Sequence, residues 1–367
     1  MRGVKRRLRQ AGVTLVEIMI SVVLVGVACA LTLGIQVRMT AVLHDQTITG
    51  QTQQTLRVAA DAVARDVQMA GYLASSVWRA GQTTPIGALS VVNGGAGPDQ
   101  LTVLYADAST LTVIPQTGND SDTYKTTTGT LVPSTAGFAA NQVLLATHIA
   151  SNGPANAPSV LGIGCLLHTT SVTSSHIVTA PSSTAPWSSS GNAQCDNLAG
   201  VWNDGYSAFA RPIYRSYRIK PDDPRGILQM SPTGGVVADD WQDVALGIID
   251  MQVALRIYLK GDTTDEDGDG LAEYDWFSSD NMNAVPADGV ITEVAITLLA
   301  KSTAKVSGAV LDRTPDLIQA GHPEAYNNIG DVEGTALPVT STASPYYGAH
   351  IFRSHTVRVN LRNSTGR

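Results

Sequence analysis

Apolar and polar positions divide the chain near residue 71. From Val13 to Ile35 nearly every position is apolar, and Glu17 is the one charge in those 23 residues. Thr40 to Thr55 is polar and contains Gly50. Beyond it Leu56, Ala60, Val63, Val67 and Ala70 recur every three or four residues, the spacing that gathers apolar side chains on one helix face. Gly71 follows, the residue type that most readily ends a helix in the left-handed conformation. The pattern predicts one helix over Val13–Ala70, about 58 residues and roughly 87 Å long if unbroken. It is expected to loosen or break near Gly50, where glycine favours helix least. Its first half has the length and apolarity of a membrane span. Its second half offers one stripe to a globular domain.

From Tyr72 onward the period becomes two, the mark of half-buried strands. Ile213, Arg215, Tyr217 and Ile219 share one face of a strand, as do Ile249, Met251, Val253, Leu255, Ile257 and Leu259. Val290, Val294, Ile296 and Leu298 form a third, and Val357, Val359 and Leu361 a fourth. Shorter runs start at Leu101 and Val143. Amphipathic strands need a cover, and the stripe on Leu56–Ala70 supplies one. Stretches rich in Gly, Ser, Thr and Pro, Ser151–Gly200 and Thr314–Gly348, read as connectors. The fold class is therefore α+β: a long N-terminal helix with a hydrophobic first half, packed on a β-rich C-terminal domain. The chain divides into a basic leader (1–12), the helix (13–70) and a β-rich body with loop insertions (71–367).

Charge changes the picture at the start. Arg2, Lys5, Arg6, Arg7 and Arg9 precede the apolar run with no acid among them. The whole chain carries a formal charge of −7. An acidic body argues against nucleic acid as a partner, because phosphate binding needs clustered Lys and Arg. Only 15% of residues are charged, which suits a loop-rich domain outside the cytosol. A secretory signal would use Ala28-Cys29-Ala30 as its cleavage site, but the apolar run is too long and contains Glu17. A lipoprotein site at Cys29 finds Gly26 where a branched aliphatic residue belongs. A plain anchor fits the length, with the leader holding the N-terminus in the cytoplasm. It leaves Glu17 unexplained, although a carboxylate inside a membrane helix costs roughly 2.5–3.5 kcal/mol.

Cleavage after Gly12 explains it. Val13 then bears a terminal ammonium, and Glu17 lies one helical turn away on the same face. The helix dipole also favours an acid there. Glu17 can pair with its own terminus or with that of a neighbouring helix.

Gly12-Val13-Thr14-Leu15-Val16-Glu17, behind a basic leader and ahead of an apolar helix, resembles the class III signal of type IV prepilins and type II secretion pseudopilins. The usual first mature residue is Phe; here it is Val13. The resemblance implies cleavage after Gly12 by the prepilin peptidase and N-methylation of Val13. A narrower resemblance follows. "ARDVQMAGYLA" from Ala64 matches the Arg-Asp-x-x-x-Ala-Gly-Tyr pattern of PilW-type minor pilins. "IIDMQVALRIYL" from Ile248 with its Asp/Gly run, "VITEVAITLLAKS" from Val290 and "HTVRVNLRN" from His355 are similar to that family's strands in the same order. About Ala74–Asp240 has no recognisable counterpart. The resemblance implies a low-abundance subunit that helps initiate type IV pilus assembly at or near the tip, with roles in adhesion, twitching motility or DNA uptake. Its implied partners are other minor and major pilins, the prepilin peptidase, the inner-membrane assembly platform and a tip adhesin of the PilY class. It also implies an inner-membrane single pass before assembly, then the pilus, with the body periplasmic or extracellular. A GspJ-like secretion pseudopilin, or a membrane-anchored periplasmic receptor or enzyme, stays open beside it.

One loop carries candidate site chemistry. Asp265, Asp267 and Asp269 alternate ahead of Gly270, the D-x-D-x-D-G opening of a calcium loop. Alternating carboxylates in a tight turn converge on a cation that takes six to eight oxygens. Leu271 would add its carbonyl and Glu273 a carboxylate. The twelfth position holds Trp276 rather than a bidentate Glu, and strands rather than helices flank the loop. A β-associated Ca2+ loop and a solvated acidic hairpin tip both fit. Cys165 and Cys195 suit a disulfide in an oxidising compartment, against two free buried thiols, while Cys29 is a small packing residue in the anchor. His168 and His176 read as surface loop residues. Arg215, on an apolar strand face, reads as an internally paired residue. No H-E-x-x-H, G-x-S-x-G or P-loop occurs, so a structural subunit rather than an enzyme is expected.

Overall fold

The computed structural model describes residues 14–74, 76–78, 86–94, 97–114, 130–148, 163–180, 207–221, 223, 225–235, 239–264, 271–277, 289–302 and 352–361. One helix, α1 (Leu15–Met69), leads. The strands are β1 (Ser76–Trp78), β2 (Ile86–Gly87), β3 (Leu89–Val92), β4 (Gln100–Val113), β5 (Thr130–Leu131), β6 (Val143–His148), β7 (Ile163–Val172) and β8 (His176–Ala180). They continue as β9 (Ser207–Ile219), β10 (Ile227–Ser231), β11 (Gln242–Leu246), β12 (Ile248–Tyr258), β13 (Tyr274–Phe277), β14 (Val290–Lys301) and β15 (Phe352–Asn360). A long helix followed by a strand-rich body is the architecture the sequence leads one to expect.

α1 runs unbroken through Gly50, contrary to the expected break. The threonines of its middle stretch turn their hydroxyls back onto the helix. Thr40 donates to Gln36 O at 2.9 Å, Thr47 to Leu43 O at 2.9 Å and Thr49 to Asp45 O at 2.8 Å. The helix ends where Gly71 takes φ +77° and Tyr72 donates to Met69 O at 2.9 Å. The exit is stitched to β4, because Gly71 donates to Leu104 O and Ala106 to Tyr72 O, both at 3.0 Å.

Two sheets receive the helix. The larger has the order β11-β10-β9-β6-β7-β1-β2, with β4 also paired to β9 and β8 to β7. The smaller, β13-β12-β14-β15, is antiparallel throughout. The expected stripe is buried: Leu56, Ala60, Val63 and Val67 are each at most 2% exposed. They pack on Leu101, Val103 and Tyr105 of β4, Met251, Val253, Leu255 and Ile257 of β12, and Val294, Ile296 and Leu298 of β14. Each such Leu, Val or Ile buried adds about 1.5–3 kcal/mol.

Two expectations change. The stretch Ser151–Gly200 is not all connector: β7 and β8 lie within it. Consecutive Cys165, Leu166 and Leu167 are buried, so β7 is covered on both faces and shows no alternation. His168 and His176 therefore stand on strands, not in loops. In β12 the register shifts between Ile248 and Asp250. That bulge moves Ile248 into the core and leaves Ile249 half-buried, since one extra residue flips the face. The stretch 314–348 lies outside the described residues.

Candidate functional site

The two ends of α1 hold the chemistry of interest. At the start, Thr14 caps the helix: its Oγ1 accepts from the Glu17 N–H at 3.3 Å, and its carbonyl accepts from the same N–H at 3.1 Å. The cap satisfies a donor that the first turn leaves without an internal partner. It also fixes Glu17 in that turn, where an acid complements the helix dipole. From Thr14 to Thr40 every residue is exposed. Leu15, Val22, Leu24, Leu31 and Val37 are each more than 60% exposed. The helix is long and apolar enough to cross a membrane. Gly12 and Val13 lie outside the described residues.

At the other end sits a buried charge cluster that the sequence showed only in pieces. Asp66 lies on the stripe facing the sheets and is 5% exposed. Its Oδ1 accepts from Tyr105 Oη at 2.8 Å and from Arg215 Nη1 at 2.8 Å. Its Oδ2 accepts from Arg215 Nη1 at 2.9 Å and from Tyr217 Oη. The sheet register builds this pocket. Leu101 pairs with Tyr217, Val103 with Arg215 and Tyr105 with Ile213 across β4 and β9, so all three donors project from one face. Burial pushes both tyrosine hydroxyls up, and the bond to Asp66 and its charge push them further. Burial opposes the charge on Arg215, but the bond to Asp66 and its charge outweigh that and hold the guanidinium up. Over the ordinary pH range the tyrosines stay neutral donors and Arg215 stays a cation. The arrangement fixes the rotation and height of α1 on its domain. Arg215 on an apolar strand face was the sequence signal, and the pairing expected for it is present. Asp66 as its partner was missed.

A second carboxyl joins the two sheets. Asp99, 1% exposed, donates its N–H to Met251 O at 2.8 Å. Its Oδ2 accepts from the Val253 N–H at 2.8 Å, and its Oδ1 from the Gly94 N–H at 3.0 Å. One residue thus occupies a strand edge of β12 ahead of β4. Burial raises its pKa to about 6, against the pull of the two backbone bonds.

The acidic loop is only framed. Asp265, Asp267 and Asp269 lie outside the described residues. Leu271 is 52% exposed. Glu273 Oε1 accepts from the Gly261 N–H at 3.1 Å, and its carbonyl accepts from the Leu259 N–H at 2.9 Å. Glu273 thus closes the base of the hairpin between β12 and β13. Cys165, buried on β7 beside Ala146 of β6, is disulfide-bonded. Cys29 is a free, exposed thiol, and Cys195 lies outside the described residues.

Comparison with known proteins adds one match at the N-terminus. Residues 7–33 match the family described as the prokaryotic N-terminal methylation motif. No curated protein matches significantly. Among solved structures, a type IV-like pilin from Thermus thermophilus aligns with 11% identity over 86% of this chain and 99% of its own, with a TM-score of 0.35.

Proposed function

We propose that this chain is a minor pilin, made as an inner-membrane prepilin and transferred to a type IV pilus, where it helps start assembly at or near the tip. The observation that carries the reading is the N-terminal methylation motif at 7–33 on a helix whose apolar half meets nothing of its own chain. So large an apolar surface needs lipid or a bundle of sister helices. Leaving lipid for such a bundle changes little in apolar burial, so position is set by polar pairing. Glu17 supplies it: its carboxylate, in the first turn, meets the ammonium of a processed Val13 on its own or a neighbouring helix. The prepilin peptidase is the partner before assembly; other pilins, the assembly platform and a tip adhesin are partners after it. The order of PilW-like segments supports the tip role over the secretion-pseudopilin alternative.

The test is the N-terminus of the protein purified from its own cells. The expected mature chain begins with N-methylated Val13, and deletion of the prepilin peptidase retains the twelve-residue leader. A chain starting anywhere else removes the pilin reading. Gly12→Phe is expected to block cleavage and hold the precursor in the inner membrane.

A further inference from the structure

We infer that the groove between α1 and β11 binds a single-chain carboxylate, a fatty acid of medium length. Its acyl chain lies against Val58, Val244 and Leu246, and its head meets Lys301, Gln51 and Gln54. The inference goes beyond the pilin reading and does not depend on it.

One wall of the groove is α1; the other is β11 with the end of β14. The space measures about 540 Å3, within the roughly 300–1,000 Å3 of small-molecule sites. Gln51, Gln54 and Val58 line it at spacings of three and four, so they share one helix face. That face is polar in one turn and apolar in the next. Val58 is 62% exposed, and across from it Val244 is 41% and Leu246 53% exposed. An apolar space with a few polar groups is what holds a ligand that has an apolar body and one polar head.

Charge selects the head. Among the described residues that line the groove none is Asp or Glu, and Lys301 is the one cation. Lys301 is only 8% exposed. Burial holds its pKa below the ordinary lysine value, and the pull of Asp223 offsets only part of that. Asp223 is shared, since it also meets Arg225 at 2.7 Å and Lys220 at 3.9 Å. An incoming carboxylate adds to what Asp223 supplies, and the amides of Gln51 and Gln54 are further donors.

An added strand fits less well. The register of β10 on β11 shifts between Leu228 and Gln229, which leaves Val244 as an extra residue. Such a bulge breaks the row of edge groups that a partner strand would need.

Photo-crosslinking of the full chain in lipid nanodiscs tests the site, with decanoate carrying a diazirine near its methyl end as the probe. Peptides covering 51–62 and 242–246 are expected to be labelled saturably, and excess plain decanoate should suppress the label. The matching diazirine alcohol should label them about tenfold less, because it lacks the charge that Lys301 recognises. Val58→Trp, at an exposed helix position, should fill the groove and abolish the label there. Lys301→Met should lower it about tenfold. Labelling of 15–35, which lies in lipid, should be the same in all cases. Equal labelling by acid and alcohol overturns the site, as does a label that Val58→Trp leaves intact. Absence of label from 51–62 overturns it too, and crosslinks from those peptides to a copurified subunit would then make the groove a protein contact. The mature N-terminus does not enter this readout, so the site and the pilin reading fail separately.

Discussion

Glu17 and Asp66 stand near opposite ends of one helix and have opposite circumstances. Asp66 is buried and accepts from Arg215, Tyr105 and Tyr217, all of its own chain. Glu17 is exposed, and its carboxylate has no ion pair among the described residues. The contrast extends to their surroundings: the stripe around Asp66 is filled by two sheets, whereas residues 15–35, apolar but for Glu17 and a few small polar side chains, are bare. An acid whose counter-charge is built in serves the fold. An acid on an apolar helix without one would, in the proposed function, serve an encounter with another chain. That division is the physical content of the filament reading, and it can be broken at either end.

The largest effect is expected at Asp66. Asp66→Ala leaves Arg215 half-buried and unpaired, and removing one partner of such a pair costs about 3–5 kcal/mol. Urea unfolding of the full chain in detergent, followed by tryptophan fluorescence, should show the loss. The double variant Asp66→Asn with Arg215→Met should recover much of it. A loss under about 1 kcal/mol in Asp66→Ala would remove Asp66 as the internal clamp.

The disulfide at Cys165 comes next. We propose Cys195 as its partner; that bridge would close a loop of about 30 residues and add roughly 3–4 kcal/mol in the chain-entropy model. Peptide mapping without reductant should recover a peptide linking the two. Alkylation of both thiols in the untreated protein would end that pairing.

Asp99 tests the same internal wiring through pH. Its pKa of about 6 lies above the ordinary value of 3.8, so the native state holds the proton more tightly than the unfolded chain. The contribution is fully present below about pH 4 and is lost as pH rises through 6, up to about 3 kcal/mol. Urea midpoints should fall between pH 4.5 and 7.5, and Asp99→Asn should flatten that fall.

A smaller effect is expected from calcium. We propose that Asp265, Asp267, Asp269, Leu271 O and Glu273 bind Ca2+ at the hairpin between β12 and β13. Millimolar calcium should then raise the melting temperature by a few degrees, as any ligand of the native state does. Asp267→Ala with Asp269→Ala should remove the shift, and an unchanged response refutes the site.

Much of the helix and the smaller sheet was legible because both follow one-period patterns. Leu56, Val63 and Val67 announced a buried stripe, and Met251, Val253 and Leu255 announced the strand beneath it. β7 was hidden because Cys165, Leu166 and Leu167 are buried in succession and the Ser/Thr that follow resemble a linker. The bulge at Ile248–Asp250 was hidden because alternation on either side looks continuous. The Asp66 clamp joins residues 149 positions apart. Only the register of β4 against β9 brings Tyr105, Arg215 and Tyr217 to one face, and register across so long a gap is not written in local composition.

The smallest effect on folding, and the sharpest on the comparison, is expected at Glu17. Glu17→Ala removes an exposed side chain from a helix that packs on nothing of its own chain, so the urea midpoint should move by less than about 0.5 kcal/mol. Membrane insertion should hold or improve, because an intramembrane carboxylate is unfavourable there. What should fall is co-purification with partner pilins, since the variant keeps the apolar surface and loses the polar mark that fixes register in a bundle. Asp66→Ala predicts the reverse: a weakened fold on an intact apolar helix. Should Glu17→Ala associate with other pilins as strongly as the unaltered protein, the carboxylate has no part in assembly, and the division between the two ends of α1 rests on apolar surface alone.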